Sequence, residues 1–235
     1  MEQSHTQVSS LYERLRSDVL SGRWPPGGKL RINTLRDHYA TGATPIREAL
    51  NRLAAEGWVQ YLDQRGFTAS PVSDAALREL IDTRVSVESL ALTRCISGKT
   101  AAWEERVVLS LHRLSKIPRS LDASHYEENP AWERLHREFH MTLIDNCNSR
   151  WLLAFCEQLH DQAYRYRQLA VKTAYKQRDE LGEHRQIVDA IVKGDAGMAC
   201  ESLAAHYLKT AQVLLTQPPL KDGAPLPSGL GPKDS

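Results

Sequence analysis

Residues 43–58, ATPIREALNRLAAEGW, bring a helix start, an apolar stripe and a helix stop into one short segment. Thr44 has the hydroxyl of a helix N-cap, and Pro45 suits the first helical position, where its missing N–H costs nothing. Ile46, Leu50 and Leu53 recur at helical spacing as the inward stripe, and Gly57 ends the run. Arg47 and Glu48 fall on the opposite side, with Arg47 in the first turn. Upstream, Leu11, Leu15, Val19 and Leu20 predict a helix over 11–21, stopped by Gly22 and the run Trp24-Pro25-Pro26-Gly27-Gly28. Lys29 to Ile32 read as extended, 33–40 as a second short helix, and Thr41-Gly42-Ala43 as the turn before the third. Downstream the period changes: Val59, Tyr61 and Phe67, with Asp63-Gln64-Arg65-Gly66 between them, predict a β-hairpin. Three helices followed by a hairpin make a winged helix-turn-helix domain, expected over residues 1–70.

A helix-turn-helix lays its second helix in the major groove, with the N-terminal residues of that helix at the base edges. Gly42 and Ala43 keep the turn slim. Thr44 and the unbonded N–H groups of the helix start suit a phosphate, and Arg47 can fork onto a guanine edge. Arg36, Pro45 and Arg65 complete the expected DNA-contacting set, and Gly66 at the wing tip lets backbone approach the duplex. The expected partner is double-stranded DNA. A homodimer of such modules reads two half-sites, so the operator is expected to be an imperfect palindrome. On pattern alone, Arg47 and Glu48 also match an ordinary solvated helix surface, and winged helices also serve as protein–protein modules.

Composition permits this reading and removes others. The chain has 235 residues, 41% hydrophobic and 25% charged, which is enough apolar material for two modest cores. The net charge is only +1, so the arginines must act locally rather than as a broad basic face. The start, MEQSHTQVSS, has no basic stretch followed by an apolar one, and no long apolar run follows, so neither a secretory signal nor a membrane span is expected. Cys95, Cys147, Cys156 and Cys200 show no paired spacing and read as reduced thiols of a cytoplasmic protein.

ASPVSD, residues 69–74, reads as a linker, with Ser73 placed to cap the next helix. Residues 71–217 are expected to form an all-α bundle, broken at Gly98, Pro118, Asn129-Pro130, Asn148, Asp179 to Gly182 and Gly194. Residues 218–235, rich in Pro and Gly, are expected to be a disordered tail. Within the bundle, His136 and His140 are four apart and share one helix face. His184 and His206 lie on two later helices, beside apolar residues that mark inward faces: Phe139 and Leu143, Ile187 and Ile191, Leu203 and Tyr207. Four imidazoles can therefore converge on one metal, as bundle metal sites do. They can equally be core histidines bonded to carbonyls. The remaining histidines, His160 among them, show no such company. Arg84 stands at helical spacing from Leu80 and Glu88. Either a buried pair with Glu88 or a fork for a carboxylate fits. Tyr164 and Arg167, in DQAYRYRQL, join the candidate effector-binding residues, since that helix cannot turn all its polar side chains to solvent.

Residues 11–30, LYERLRSDVLSGRWPPGGKL, with TPIREALNRLAAEGWVQ from Thr44 and QRGF from Gln64, resemble the DNA-binding domain of the GntR family. The resemblance implies a transcription regulator. Family members often carry Ser-Arg before Thr-Pro, where this chain has Gly42-Ala43, so one common DNA contact passes to Arg47, Arg65 or others. LRELIDTRVSVESLALTR, HREFHMTLIDNCNSRWLL and EHRQIVDAIVKGDAGMACESLAAHYLKT resemble the helical effector (FCD) domain of the FadR branch, and more narrowly the carbon-starvation-induced, glutarate-responsive repressor type. That implies a repressor controlled by a small carboxylate, glutarate or another dicarboxylate, bound near Arg84. It also implies a divalent metal on one Asp and three His, at His136, His140, His184 and His206. Here His136 stands where Asp is usual. Four neutral imidazoles favour zinc or nickel, although a metal-free site that binds an anion directly fits as well. The competing reading is a helical-bundle metalloenzyme using the same histidines. It lacks a carboxylate-rich second motif and leaves TPIREAL unexplained.

Overall fold

A computed structural model describes residues 2–122, 124–174 and 178–215, with side chains described over 9–122, 124–168 and 178–215. The expected tail over 218–235 lies outside the described residues. The chain divides after Asp74 into two compact units.

The first unit holds α1 (Glu2–Leu20), α2 (Ile32–Tyr39), α3 (Ala43–Ala55) and a hairpin of β1 (Val59–Leu62) and β2 (Gly66–Ala69). Helix α1 begins well before residue 11, since no glycine or proline interrupts the chain until Gly22. Leu11, Leu15, Val19, Leu35, Ile46, Leu50, Leu53, Trp58 and Phe67 are buried and form one core. The strands pair antiparallel with Val59 opposite Ala69 and Leu62 opposite Gly66. The extended piece before α2 joins them, because Leu30 N–H donates to Phe67 O at 2.8 Å and Ala69 N–H donates to Gly28 O at 2.9 Å. Gln64 and Gly66 at the wing tip have φ of 59° and 76°, a left-handed turn that glycine accommodates without strain. Ser70 is tied back to the hairpin base, its hydroxyl donating to Gly57 O at 2.7 Å. The linker is therefore shorter than expected, and α4 begins at Asp74, directly after Ser73.

The helix start at TPIREAL differs from expectation. Gly42, with φ −77° and ψ 167°, is the N-cap residue of α3, and no side chain caps it. Thr44 is therefore inside the first turn rather than at its cap. Pro45 is the third helical residue, still within the turn whose N–H groups have no intrahelical acceptor, so its ring breaks no bond. The small pair Gly42-Ala43 lets the chain coil that early.

The second unit is all α among the described residues: α4 (Asp74–Ser97), α5 (Ala101–Ser115), α6 (Pro130–Ile144), α7 (Arg150–Ala174), α8 (Glu180–Lys193) and α9 (Ala196–Leu215). Gly98, Pro118, Asn148 and Gly194 fall between these helices, whereas Asn129-Pro130 and Asp179 to Gly182 run from the N-cap into the first turn of α6 and α8. Thr100 caps α5 by accepting from Trp103 N–H at 3.2 Å, and Asp179 caps α8 by accepting from Gly182 N–H at 2.9 Å. Gly194 closes α8 at φ 75° with its N–H on Ile191 O. Trp103, Leu92, Phe139, Leu143, Ile187, Ile191 and Leu203 fill the bundle centre.

Helix α6, which carries His136 and His140, depends on its first turn. Asn129 accepts from Ala131 N–H at 3.1 Å and Trp132 N–H at 3.4 Å, while its amide donates to Pro118 O at 2.7 Å, and Pro130 follows as the first helical residue. Asn129→Ala should therefore destabilise the chain by about 1 kcal/mol; urea unfolding followed by circular dichroism reads this, and an unchanged midpoint would remove Asn129 from the account.

Candidate functional site

The first unit sorts its arginines into two groups. Arg52 stacks 3.7 Å from the centre of the Tyr12 ring and pairs with Glu56, which also accepts from the Tyr12 hydroxyl. Arg14 lies over Tyr39 and Arg16 over Trp58, and Arg23 pairs with Asp18 at 3.0 Å. These hold the fold. Arg31, Arg36, Arg47 and Arg65 are exposed, and none makes an ion pair among the described residues. They stand at the N-cap of α2, on α2, on α3 and at the wing tip. Thr44 is exposed and Pro45 half-buried beside the open N–H groups of α3, the arrangement that receives a phosphate.

In the second unit the four histidines meet. His136, His140, His184 and His206 are all buried, and each offers one ring nitrogen within 4.8 Å of the others. A fifth, absent from the expected set, joins them: His160 on α7 lies 5.9 Å from His140 and 6.4 Å from His136, ring centre to ring centre. Its spacing to Cys156, Ala163 and Arg167 marks one helix face, the signal that could have found it. These rings, except His184, line a small cavity with Leu77, Ile81, Arg84, Arg167, Tyr207 and one carboxylate, Glu180. Its volume of about 20 Å³ holds a cation or a water or two.

Burial keeps the imidazoles neutral. It drives His136, His140 and His184 well below the usual range, helped by the neighbouring rings and, for His136, first by Arg167. His206 is lowered by burial against the opposing pull of Glu183, and His160 falls to about 4 through burial. A metal needs this neutral form.

The hydrogen bonds fix which nitrogen is which. Tyr207 O–H donates to Glu88, so the contact of 3.3 Å between Tyr207 Oη and His140 Nδ1 has the ring N–H donating, leaving His140 Nε2 with its lone pair. His206 Nδ1 lies 2.9 Å from Glu183 Oε2 and 3.0 Å from Arg178 Nη2, which itself donates to that carboxylate. Glu183 gives His206 Nδ1 an acceptor that His136 Nδ1 lacks; donating there, His206 presents Nε2. His184 Nε2 is buried without a hydrogen-bond partner. These three rings fit a transition-metal ion, two of them with the outer acceptor that metal-bound imidazoles use. His136 is turned the other way, because its Nδ1 accepts from Arg167 Nη1 at 2.8 Å.

Arg84 forms the buried pair with Glu88, one of the two roles the sequence left open. Its Nε donates to Glu88 Oε1 at 2.7 Å, its guanidinium lies 3.9 Å from the Tyr207 ring centre, and its Nη2 is buried with no partner. Leu77 and Ile81 are its buried neighbours, while Leu80 is only half-buried. Arg167 lines the cavity, but both ends of its fork are occupied, by His136 and by Glu133 at 3.0 Å. Tyr164 does not reach the cavity. Its hydroxyl donates to Glu128 at 2.7 Å, since its position on α7 faces the 116–129 connection instead.

Residues 7–68 match the family model of bacterial regulatory proteins of the gntR family, and residues 79–209 match the FCD domain. The chain is 34% identical over 207 residues to the HTH-type transcriptional regulator BphR of Paraburkholderia xenovorans, covering 88% of this chain and 84% of that one. It is 30% identical over 207 residues to the HTH-type transcriptional repressor GlaR of Escherichia coli, covering 86% and 93%. Among solved structures, E. coli McbR/YncC superposes with a TM-score of 0.71 at 18% identity, over 89% of this chain and 97% of that one.

The neutral histidines make stability depend on pH. The unfolded chain protonates its histidines below about pH 6.5 while the folded bundle does not, so stability falls with pH in that range. In chelator, urea unfolding should lose up to about 1.4 kcal/mol per pH unit for each histidine that stays neutral in the fold, continuing for His160 to about pH 4. A flat profile between pH 7 and 5 would contradict the burial of neutral rings.

Proposed function

The chain belongs to the GntR family of bacterial regulatory proteins and carries an FCD domain, and from that premise we propose that it is a repressor released from its operator by a small carboxylate bound at the histidine cavity. That it is a DNA-binding transcription regulator and not an enzyme follows from the family and from its named relatives. The metalloenzyme reading is not favoured. No helix among the described residues is long and apolar enough to cross a membrane; we place the protein in the cytoplasm, where its DNA would be.

The observation that carries the effector reading is one small cavity with buried polar atoms that lack a hydrogen-bond partner at or beside it: Arg84 Nη2 in its lining and His184 Nε2 next to it. Such atoms cost free energy unless something satisfies them. A divalent cation on His140, His184 and His206, zinc or nickel by the softness of imidazole, would supply a fixed positive centre opposite Arg84. A guanidinium edge across from such a centre suits an acid with oxygens at both ends, of which glutarate is the example the family resemblance suggests. The cavity is too small for a five-carbon diacid as it stands. Entry therefore requires the lining side chains to move, and that movement is the differential state a switch needs.

On the DNA side, Arg36, Thr44, Pro45, Arg47, Arg65 and Gly66 are the proposed contacts, and a homodimer on an imperfect palindrome is the proposed assembly. Operator binding by fluorescence anisotropy at fixed salt tests both halves. Arg47→Ala should lose roughly 1–3 kcal/mol on the cognate site. Glutarate should weaken wild-type binding and leave Arg84→Lys less responsive. Lysine is chosen because alanine would strand Glu88 as an unpaired buried charge. Undiminished binding by Arg47→Ala would remove the DNA assignment, and an unresponsive wild type the effector class.

A further inference from the structure

The four histidines are not equivalent. A neutral imidazole has one N–H and one lone pair; as a metal ligand it spends the lone pair on the ion and aims the N–H outward at an acceptor. His140 and His206 are set that way by Tyr207 and Glu183. His136 is set the opposite way. Its outward nitrogen, Nδ1, faces a donor that can never become an acceptor, Arg167 Nη1 at 2.8 Å. Arg167 is itself fixed by Glu133 at 3.0 Å, and Glu133 is fixed by Gln168 Nε2 at 3.2 Å. Trp132 stacks on the His136 ring at 4.5 Å with the planes 16° apart, which holds its orientation. The proton of His136 is therefore on Nε2, pointing inward, where it donates to the lone pair of His140 Nε2 at 3.2 Å, with Glu180 Oε1 4.0 Å away; a cation taken up by His140 uses that lone pair and frees the N–H for a ligand. For His136 to coordinate through Nε2 in this setting, it would have to lose both its protons beside a guanidinium, or Arg167 would have to leave.

We propose that His136 is not a fourth metal ligand but a hydrogen-bond donor, held by Arg167 to aim Nε2–H at an anionic oxygen, a carboxylate oxygen of the effector, bound at the centre made by His140, His184 and His206. This rests on the three-histidine reading above and gives the position a separate role, in which His136 recognises the ligand and Arg167 positions His136.

The test uses full-length protein purified without an affinity tag, stripped with chelator and titrated first with Zn²⁺ alone, then with glutarate on the Zn²⁺-loaded form. His136→Gln keeps an inward N–H and an outward acceptor for Arg167 but is a poor zinc ligand. His136→Gln and His136→Ala should bind Zn²⁺ as wild type does, whereas His140→Ala should lose it. His136→Ala should bind glutarate roughly ten- to a hundredfold more weakly, the loss expected for a hydrogen bond to a charged group, and His136→Gln should restore most of it. If His136→Ala does not fold, the glutamine variant still carries the zinc comparison. Loss of Zn²⁺ in His136→Gln to the extent seen in His140→Ala would overturn the proposal while leaving a metal site of four histidines. A wild type that binds no Zn²⁺ would overturn it together with the three-histidine reading. Long-range ¹⁵N correlation spectra of the metal-free protein give an independent reading: the proton of His136 on Nε2 supports the proposal, and on Nδ1 overturns it.

Discussion

Five imidazoles and two arginines sit together in the dry centre of a helical bundle, and the arrangement of the second unit follows from satisfying them. Burial forbids the rings a charge, so each must find one acceptor and one donor from a small set of neighbours. Glu88 serves Arg84 and Tyr207 and, through Tyr207, His140. Glu183 serves His206 and Arg178, and Glu133 serves Arg167 and Gln168. The network thus ties α4, α6, α7, α8 and α9 to one another through polar contacts, on top of the apolar packing of Phe139, Leu143, Ile187 and Leu203. Of the buried polar atoms left without a hydrogen bond, Arg84 Nη2 and His184 Nε2 lie at or beside one cavity. They mark where the proposed ligand would be met.

The first unit obeys a different rule. Its core is apolar, and its charged residues are divided by what they touch. Arg14, Arg16, Arg23 and Arg52 each have an aromatic or acidic partner within the unit, which ties their positions to the fold. Arg31, Arg36, Arg47 and Arg65 make no ion pair among the described residues, and they stand at the N-cap of α2, on α2, on α3 and at the wing tip. A net charge of +1 for the whole chain is no obstacle to DNA binding when the arginines that matter are the ones left uncommitted.

Much of this is legible in the sequence because periodicity and helix punctuation are local. Gly98, Asn129-Pro130, Asp179 and Gly194 act on their own backbone, so the helix boundaries of the bundle can be read directly. The i, i+4 pair His136 and His140 likewise needs only one helix. What escapes depends on contacts between elements. His160 joins the cluster only when α7 packs beside α6. Tyr164 leaves it because its hydroxyl finds Glu128 across the 116–129 connection. The start of α3 falls one or two residues before the threonine that a residue-type rule favours as cap, because Gly42-Ala43 can coil there. The reversed orientation of His136 is set by Arg167, thirty-one positions away, and no spacing rule within α6 could show it.

The central claim, that the buried rings are arranged around a cation held by three of them, is met most directly by anomalous scattering from crystals of the protein purified without an affinity tag. Data collected on either side of the zinc and nickel absorption edges should show one anomalous peak per chain, about 2.0–2.1 Å from the Nε2 atoms of His140, His184 and His206. A map with no peak there, and with those rings hydrogen-bonded to one another or to a bound anion, would contradict the account.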